Sequence, residues 1–178
     1  GVEALVILVG SLPADLPAAV FIVLHIPAQS PSVLSDILSR SGPLVALPAE
    51  DGDAIEQGKI YVAPPDHHLL IAYGSVQVTH GPKERYNRPA VNPLFRSAAI
   101  TYKQRVIGVV LTGALDDGSA GLLMIKRCGG LTVVQDPEDA LYSSMPLHAM
   151  ERVAVDYVLP LREIGALLAR LAHEPIQE

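Results

Sequence analysis

Two polar sites follow apolar runs that have the composition of buried strands. His25 ends the run AAVFIVLHIP, and two adjacent aspartates, Asp116 and Asp117, follow the apolar residues 106–111 in the turn LTGALDDGSAG. An imidazole can take a proton from a nucleophilic hydroxyl, and a buried carboxylate can fix its tautomer and stabilise the imidazolium that forms. These residue types therefore match the base and the orienting acid of a hydrolase.

The residues near these sites do not supply a convincing nucleophile. A GxSxG nucleophile turn needs glycine where Asp117 stands, so Ser119 in DGSAG is better explained as the start of the following helix. The other candidates lie in or beside predicted helices: Ser11, Ser30, Ser32 and Cys128. The sequence thus indicates a general base and an orienting acid but no nucleophile for them to activate.

Metal chemistry is the main alternative for the acidic and histidine-rich motifs. Paired aspartates after a strand can bind Mg²⁺, but the sequence has no P-loop with GK[ST] and no further acidic cluster. In PDHH, Asp66 precedes His67 and His68, and His80 follows. Adjacent histidines in a strand point to opposite faces, which favours a polar hairpin. We expect no metal and no cofactor.

The composition is that of a globular α/β domain. The 178 residues are 49% hydrophobic, lack Trp and carry a formal charge of −6, which argues against nucleic acid or anionic lipid as a main partner. No apolar run reaches the roughly 18–20 residues of a membrane span, so direct membrane insertion is not expected. The single Cys128 cannot form an internal disulfide, which favours a cytoplasmic location.

One basic cluster departs from the acidic average. The segment GPKERYNRPAVNPLFR contains Lys83, Arg85, Arg88 and Arg96. It is either a solvated loop or a docking patch for an acidic protein.

Predicted strands and helices alternate along most of the chain. Helices are predicted at 2–12, 31–41 (N-cap Ser30, Pro31 first, closed by Gly42), 92–103, 119–130 and around 164–171; strands at 18–27, 59–65, 69–72, 75–80, 105–112, 131–136 and 155–160. The segment 143–153 stays unassigned. This order predicts a doubly wound, mainly parallel α/β sheet with helices on both faces and a small antiparallel margin. Ligands bind beyond the carboxyl ends of such strands, where His25 and Asp117 lie.

Five motifs, in order, resemble the catalytic domain of the CheB-type protein-glutamate methylesterases of bacterial chemotaxis. They are VEAL, VLHIP, AEDGD with KIYVAPPDHHLL, NRPAVNPLFRSAA and VIGVVLTGALDDGSAGL, and together they span nearly the whole chain. The resemblance implies a doubly wound enzyme that hydrolyses glutamate methyl esters on chemoreceptors and commonly deamidates receptor glutamines. The cytoplasmic domains of methylated chemoreceptors are then the expected partners.

The resemblance also implies roles for individual residues. His25 matches the triad histidine, Asp117 matches the triad aspartate, and the backbone around Ala114 corresponds to the oxyanion-hole region. Asp116 falls where the family often has asparagine, and we expect it to support the turn.

Two other positions depart from the family pattern. Asn87 and Asn92 stand where the family usually has histidine and aspartate. These departures affect the expected substrate contacts and leave the triad unchanged. The resemblance assigns four positions to the oxyanion or substrate region: Gly1, Ala114, Asn87 and Arg88.

The family's nucleophile is a serine in a GxSxGG turn just before the VEAL-like helix. Gly1 aligns with the last glycine of that turn, so we expect the serine and its strand to lie ahead of Gly1. On this reading residues 1–178 are a catalytic domain without its first strand, nucleophile turn or the receiver domain that often precedes it. A non-catalytic receptor-binding or regulatory module is the alternative. An α/β-hydrolase is disfavoured because the triad residues of that fold follow the order Ser, Asp, His, whereas His25 precedes Asp117 in this chain.

Overall fold

The computed structural model describes residues 1–25, 33–113 and 117–176. The helices in these ranges are α1 (Val2–Gly10), α2 (Leu34–Ser41), α3 (Val91–Tyr102), α4 (Ser119–Arg127), α5 (Ser144–Arg152) and α6 (Leu161–His173). The strands are β1 (Val20–Ile22), β2 (Val45–Pro48), β3 (Lys59–Val62), β4 (His68–Ala72), β5 (Ser75–Thr79), β6 (Ile107–Val110), β7 (Leu131–Gln135) and β8 (Tyr157–Leu159). None of the helices in the described ranges has the length and apolar character needed to cross a membrane.

The strands form two parallel sheets and one antiparallel hairpin. The first sheet has the order β1-β3-β2 and the second has the order β6-β7-β8, with all neighbours parallel. Strands β4 and β5 pair antiparallel from His68 opposite Thr79 to Ala72 opposite Ser75. The mainly parallel α/β fold with a small antiparallel margin is confirmed.

Helix α1 packs against both parallel sheets. Leu5 joins a core with Ile22 and Ile60 of the first sheet, whereas Leu8 joins a core with Val133 of the second. Leu111, which follows β6, contacts both cores. Burial of apolar side chains on two sides of one helix therefore holds the carboxyl ends of β1 and β6 near each other.

Helices α3 and α4 cross closely on one side of the second sheet. A Cβ atom at Gly121 in α4 would lie 2.6 Å from the Cβ of Phe95 in α3. Leu122 and Ile125 of α4 are fully buried in the same core as Val134. The missing side chain at Gly121 lets the two helix starts, which carry the site described below, approach each other.

Three elements differ from the sequence prediction. Strand β2 was not predicted because Pro43 and Pro48 bound it; proline is tolerated there because β2 is an edge strand. Helix α2 begins at Leu34 with Val33 as N-cap, and the predicted cap residues 30–31 lie outside the described residues. The unassigned segment forms α5, whose Pro146 sits in the first turn, where it removes no helical hydrogen bond.

Candidate active site

The structure brings His25 and Asp117 together beyond the carboxyl ends of β1 and β6. Nε2 of His25 lies 3.0 Å from Oδ2 of Asp117, and the two side chains are 21% and 2% exposed. The residues are far apart in sequence, and the two strands that precede them bring them into contact. The carboxylate of Asp117 is therefore buried, whereas the imidazole of His25 is partly exposed to solvent.

The contact between His25 and Asp117 is close but imperfectly aligned. Nε2 of His25 is buried and lies 3.0 Å from Oδ2 of Asp117, but the two groups are not aligned for a good hydrogen bond. Catalytic hydrogen bonds are often loose in the absence of substrate and tighten when it binds. With Nε2 turned to Asp117, Nδ1 is the ring nitrogen left for a second partner.

The start of helix α3 fixes the Asp117 carboxylate. Oδ2 accepts the backbone N–H of Val91 at 2.7 Å, and Oδ1 accepts that of Asn92 at 3.2 Å. These are the first two residues of α3, whose N–H groups have no partner within the helix. The positive end of the helix dipole also favours a carboxylate here. Backbone N–H groups therefore hold Asp117, and in the described ranges no lysine or arginine side chain hydrogen-bonds it.

These contacts keep Asp117 ionised. Burial is the largest influence and acts to raise the pKa of Asp117, because it removes the carboxylate from water. The His25 imidazole and the N–H groups of Val91 and Asn92 act in the opposite direction and outweigh burial. The pKa of Asp117 thus lies below the ordinary 3.8, and the carboxylate can stabilise positive charge on His25 at neutral pH.

Asn92 joins the starts of α3 and α4 beneath the site. Its buried Oδ1 accepts the N–H of Gly121 at 2.8 Å. Gly118, between Asp117 and α4, has a φ of 98°, a conformation that glycine adopts without strain.

A second series of hydrogen bonds fixes the segment that follows β6. Gln135, the last residue of β7, accepts the N–H of Thr112 at 2.9 Å and donates to Oδ2 of Asp139 at 3.0 Å. Asp139 in turn accepts the N–H of Leu161 at the start of α6 at 2.8 Å. Gln135 and Asp139 are not among the site residues predicted from the sequence. Gln135 ends a parallel strand, so the strand-end criterion that selected His25 would also have selected Gln135.

Three other predicted site residues are described, namely Gly1, Asn87 and Arg88, and none of them hydrogen-bonds His25 or Asp117. Gly1 is exposed and is the N-cap residue of α1. Asn87 donates from Nδ2 to the carbonyl of Arg85 at 2.8 Å, and Arg88 binds Asp66. Two further predicted positions lie outside the described residues: Ala114 and Asp116. Ser119 is the first residue of α4, as predicted, and is buried.

Arg88 belongs to a separate cluster formed by Asp66, His80 and Arg88. Nε2 of His80 lies 2.9 Å from Oδ2 of Asp66, and Nη2 of Arg88 donates to Oδ1 at 2.8 Å. Nη1 of Arg88 donates to the Gly81 carbonyl at 3.1 Å, and the arginine side chain is largely buried. The guanidinium is therefore held by acceptors within the protein, and a contact between Arg88 and substrate stays a prediction.

The histidines of PDHH are used as structural hydrogen-bonding groups. Nδ1 of His67 lies 2.8 Å from the carbonyl oxygen of Pro65, and Nε2 of the buried His68 lies 2.8 Å from that of Pro82. Across the described ranges, no three His, Cys, Asp or Glu side chains are grouped closely enough to hold a metal ion. The segment lies at the start of the β4–β5 hairpin, as the polar-hairpin reading predicts.

The predicted basic patch is divided by ion pairs. Nη1 and Nη2 of Arg96 donate to the two carboxylate oxygens of Glu84 at 2.7 and 2.6 Å, and Arg88 is paired with Asp66. Lys83 and Arg85 are exposed. The four cations therefore do not form one solvated surface, because two of them fasten the loop to the fold.

Comparisons with known proteins agree with this geometry. The family model described as CheB methylesterase matches residues 1–168. A putative protein-glutamate methylesterase/protein-glutamine glutaminase of Leptospira interrogans is 38% identical over 179 residues, covering 100% of this chain and 93% of the relative. Protein-glutamate methylesterase/protein-glutamine glutaminase 2 of Methanosarcina mazei is also 38% identical, covering 96% of this chain and 49% of the relative.

The fold of the chain also matches a solved structure of the same family. The crystal structure of the Thermotoga maritima CheB methylesterase catalytic domain matches with a TM-score of 0.91 and 33% identity, covering 96% of this chain and 93% of that chain. The resemblance found in the sequence motifs is confirmed at the level of sequence and of structure. The chain belongs to the CheB methylesterase family.

Proposed function

We propose that this chain is the catalytic domain of a protein-glutamate methylesterase that also deamidates glutamine. The observation that carries the proposal is the buried His25–Asp117 pair at the carboxyl ends of two parallel strands, in a chain of the CheB methylesterase family. The relatives from Leptospira and Methanosarcina are named for both activities. The substrates are methyl-esterified glutamates and selected glutamines on the cytoplasmic domains of chemoreceptors.

Serine is the nucleophile in this proposal, in a turn ahead of Gly1 and next to the start of α1. Two features of the described residues support this position. Helix α1 packs on both sheets, and among the described strands β1 pairs only with β3 and β6 only with β7. A strand ahead of α1 could pair with both β1 and β6 and would deliver its last residues to the edge where His25 lies.

The chemistry proceeds through an acyl-enzyme. The serine oxygen attacks the ester carbonyl while His25 takes its proton, and Asp117 stabilises the resulting imidazolium. Backbone N–H groups, including those near position 114, stabilise the oxyanion. His25 then protonates the departing methoxide to give methanol, or the departing amide nitrogen of glutamine to give ammonia. Water, deprotonated by His25, releases the glutamate.

The structure suggests which imidazole nitrogen moves the proton. Because Nε2 of His25 faces Asp117, Nδ1 is the nitrogen assigned to the serine and then to the leaving group. Asp117 is fixed by α3 and stays ionised, so it holds the ring in one orientation without taking the proton itself.

The test is methanol release by the full-length protein, including the residues ahead of Gly1. Chemoreceptor membranes labelled on their methyl esters are incubated with the wild type and with a variant whose upstream serine is replaced by alanine. We expect volatile labelled methanol from the wild type and a near-complete loss in the serine variant. Receptor binding without methanol release by the wild type would instead establish the non-catalytic module. A receiver domain further upstream stays a prediction.

A further inference from the structure

The backbone that follows β6 is bound by a side chain of β7 where the pairing of the two strands ends. The described ladder between β6 and β7 extends to Val110 opposite Val134. Beyond it, the N–H of Thr112 is accepted by Oε1 of Gln135 at 2.9 Å. Gln135 is 2% exposed, so this hydrogen bond is protected from water. A buried side chain therefore fixes the backbone at the point where it leaves the sheet.

The loop after β7 binds the same segment. Oγ1 of Thr112 accepts the N–H of Tyr142 at 2.8 Å, and the carbonyl of Tyr142 accepts the N–H of Gly113 at 2.9 Å. The carbonyl of Gly113 accepts the N–H of Met145 at 3.0 Å, and a Cβ atom at Gly113 would overlap the sulfur of Met145. The N–H groups of residues 112 and 113 are thus both used within the protein. In the proposed mechanism, the N–H groups that stabilise the oxyanion come next along the chain, near position 114.

The amide of Gln135 has both hydrogen-bonding roles that its position requires. Oε1 accepts from Thr112, and Nε2 donates to Oδ2 of Asp139 at 3.0 Å. The N–H of Leu161 and then the Gln135 amide hold the pKa of Asp139 below its ordinary value, so the carboxylate is ionised at neutral pH. An ionised carboxylate is an acceptor only, and it therefore fixes which end of the amide faces Thr112.

We propose that Gln135 is a positioning residue that sets the location of the oxyanion-stabilising backbone after β6. The inference deepens the proposed function and rests on it. Oxyanion donors must lie about 2.7–3.1 Å from the place where the negative charge develops, so a small displacement of the backbone removes much of their effect. Gln135 acts through Thr112, which lies two residues before position 114. Asp139 contributes by holding the amide in one orientation.

The test compares the two ends of β7. Near its start, the hydroxyl of the fully buried Thr132 donates to Oδ2 of Asp156 and accepts the N–H of Asp156, both at 3.0 Å. Gln135→Met and Thr132→Val each replace a buried hydrogen-bonding side chain by an apolar one of similar volume. In the full-length protein, we expect Gln135→Met to lower kcat for methanol release from labelled receptor by about ten-fold or more, with KM changed by less than about two-fold. Thr132→Val should lower kcat by less than about two-fold; both are assayed at a temperature where thermal unfolding shows them folded.

A paired substitution tests the pattern of donor and acceptor. Gln135→Glu removes the donor and places two carboxylates together, so kcat should fall at least as far as in Gln135→Met. Addition of Asp139→Asn restores a donor opposite the new acceptor and should raise kcat by about five-fold or more over Gln135→Glu alone. The pH–rate profile of Gln135→Met should keep the wild-type shape, because the substitution leaves His25 and Asp117 in place.

If the wild type is active and Gln135→Met loses no more kcat than Thr132→Val does, the positioning role is refuted and the methylesterase function stands. A loss seen only in KM, or a displaced pH–rate profile, would refute it as well, because the effect would then lie in binding or in the His25–Asp117 pair. A folded double variant without recovery would refute the part assigned to Asp139. If the wild type releases no methanol from the receptor, the function and the role of Gln135 fail together.

Discussion

Two histidine–aspartate pairs among the described residues have nearly the same separation in different surroundings. Nε2 of His25 is 3.0 Å from Asp117, and Nε2 of His80 is 2.9 Å from Asp66. Asp117 is 2% exposed and held by backbone N–H groups, whereas Asp66 is 33% exposed and bound by the guanidinium of Arg88. Distance alone therefore does not separate a reactive pair from a structural one.

The difference lies in what neutralises each carboxylate. Arg88 already supplies a cation to Asp66, and solvent screens what remains of its charge. Among the described residues no lysine or arginine hydrogen-bonds Asp117, and Arg96 acts on its carboxylate only at longer range, so His25 is the side chain in direct contact with it. Of the two described pairs, His25–Asp117 is the one that lies beyond the ends of two parallel strands, β1 and β6. The comparison predicts that equivalent substitutions in the two pairs will have unequal effects.

The largest expected difference is between the two histidines. In the full-length protein, His25→Ala should lower kcat for methanol release by about 10³-fold or more, because the serine loses its base. His80→Ala should change kcat by less than about two-fold, because surface ion pairs contribute little. Initial rates at saturating receptor measure both. Equal losses in the two variants would remove the basis for assigning catalysis to His25.

Substitutions of the two aspartates should also have unequal effects on activity, with the larger loss at Asp117. Asp117→Asn should lower kcat by about 10³-fold, because a neutral amide cannot stabilise the imidazolium and can favour the wrong tautomer. Asp66→Asn should leave most of the activity and slightly lower the melting temperature, because Arg88 loses its anionic partner. Activity and thermal unfolding of the same preparations measure the contrast. A larger loss of activity in Asp66→Asn would reverse the assignment.

Two glycines probe the packing next to each pair. Gly121→Ala should lower the free energy of unfolding by about 1–3 kcal/mol, because the new Cβ would lie 2.6 Å from Phe95. Gly81, whose carbonyl binds Arg88, has only Thr79 Oγ1 at 3.8 Å in the way of a Cβ, so Gly81→Ala should cost less than about 0.5 kcal/mol. Urea unfolding measures both; equal values would mean that α3 and α4 can move apart.

The smallest effects concern pH and salt. His80 and then Arg88 lower the pKa of Asp66, and the pKa of Asp117 is also lowered, so each ionised carboxylate stabilises the fold above the unfolded-state pKa of about 4. Both contributions are lost as the pH falls through the folded-state pKa. Asp117→Asn should flatten the dependence of unfolding free energy on pH between 6 and 3 at low and high salt. Asp66→Asn should do so mainly at low salt.

Urea titrations at 0.05 and 1 M NaCl distinguish the two carboxylates. Salt screens an exposed charge within about 3 Å at 1 M and affects a buried one much less. If 1 M NaCl abolished the Asp117 effect as fully as the Asp66 effect, the buried character of the first pair would be refuted.

The sequence was sufficient to predict the architecture and the convergence of His25 with Asp117. Alternating strands and helices predict a parallel sheet, and the ends of its strands are a small set of positions. Strand β2 was missed because flanking prolines hide a short edge strand. Helix α5 lies in the segment 143–153, which the sequence pattern leaves unassigned, and its Pro146 is compatible with the first turn of a helix.

The polar partners were harder to predict, because they depend on contacts between distant segments. Nothing in the local sequence of GPKERYNRP indicates that Arg88 binds Asp66 or that Arg96 binds Glu84. The anchoring of Asp117 by the N–H groups of α3 is equally invisible, since it involves the backbone of residues 91 and 92. Residue types show which chemistry is available, and the fold decides which groups remain free to perform it.

The central claim is that the buried His25–Asp117 pair activates a serine ahead of Gly1. The most direct measurement is labelling of the full-length protein with a fluorophosphonate, followed by mass spectrometry of the tryptic peptides, in the wild type, His25→Ala and His80→Ala. We predict a single adduct on the upstream serine in the wild type and His80→Ala, and almost none in His25→Ala. An adduct on another residue, or equal labelling in His25→Ala, would contradict the claim.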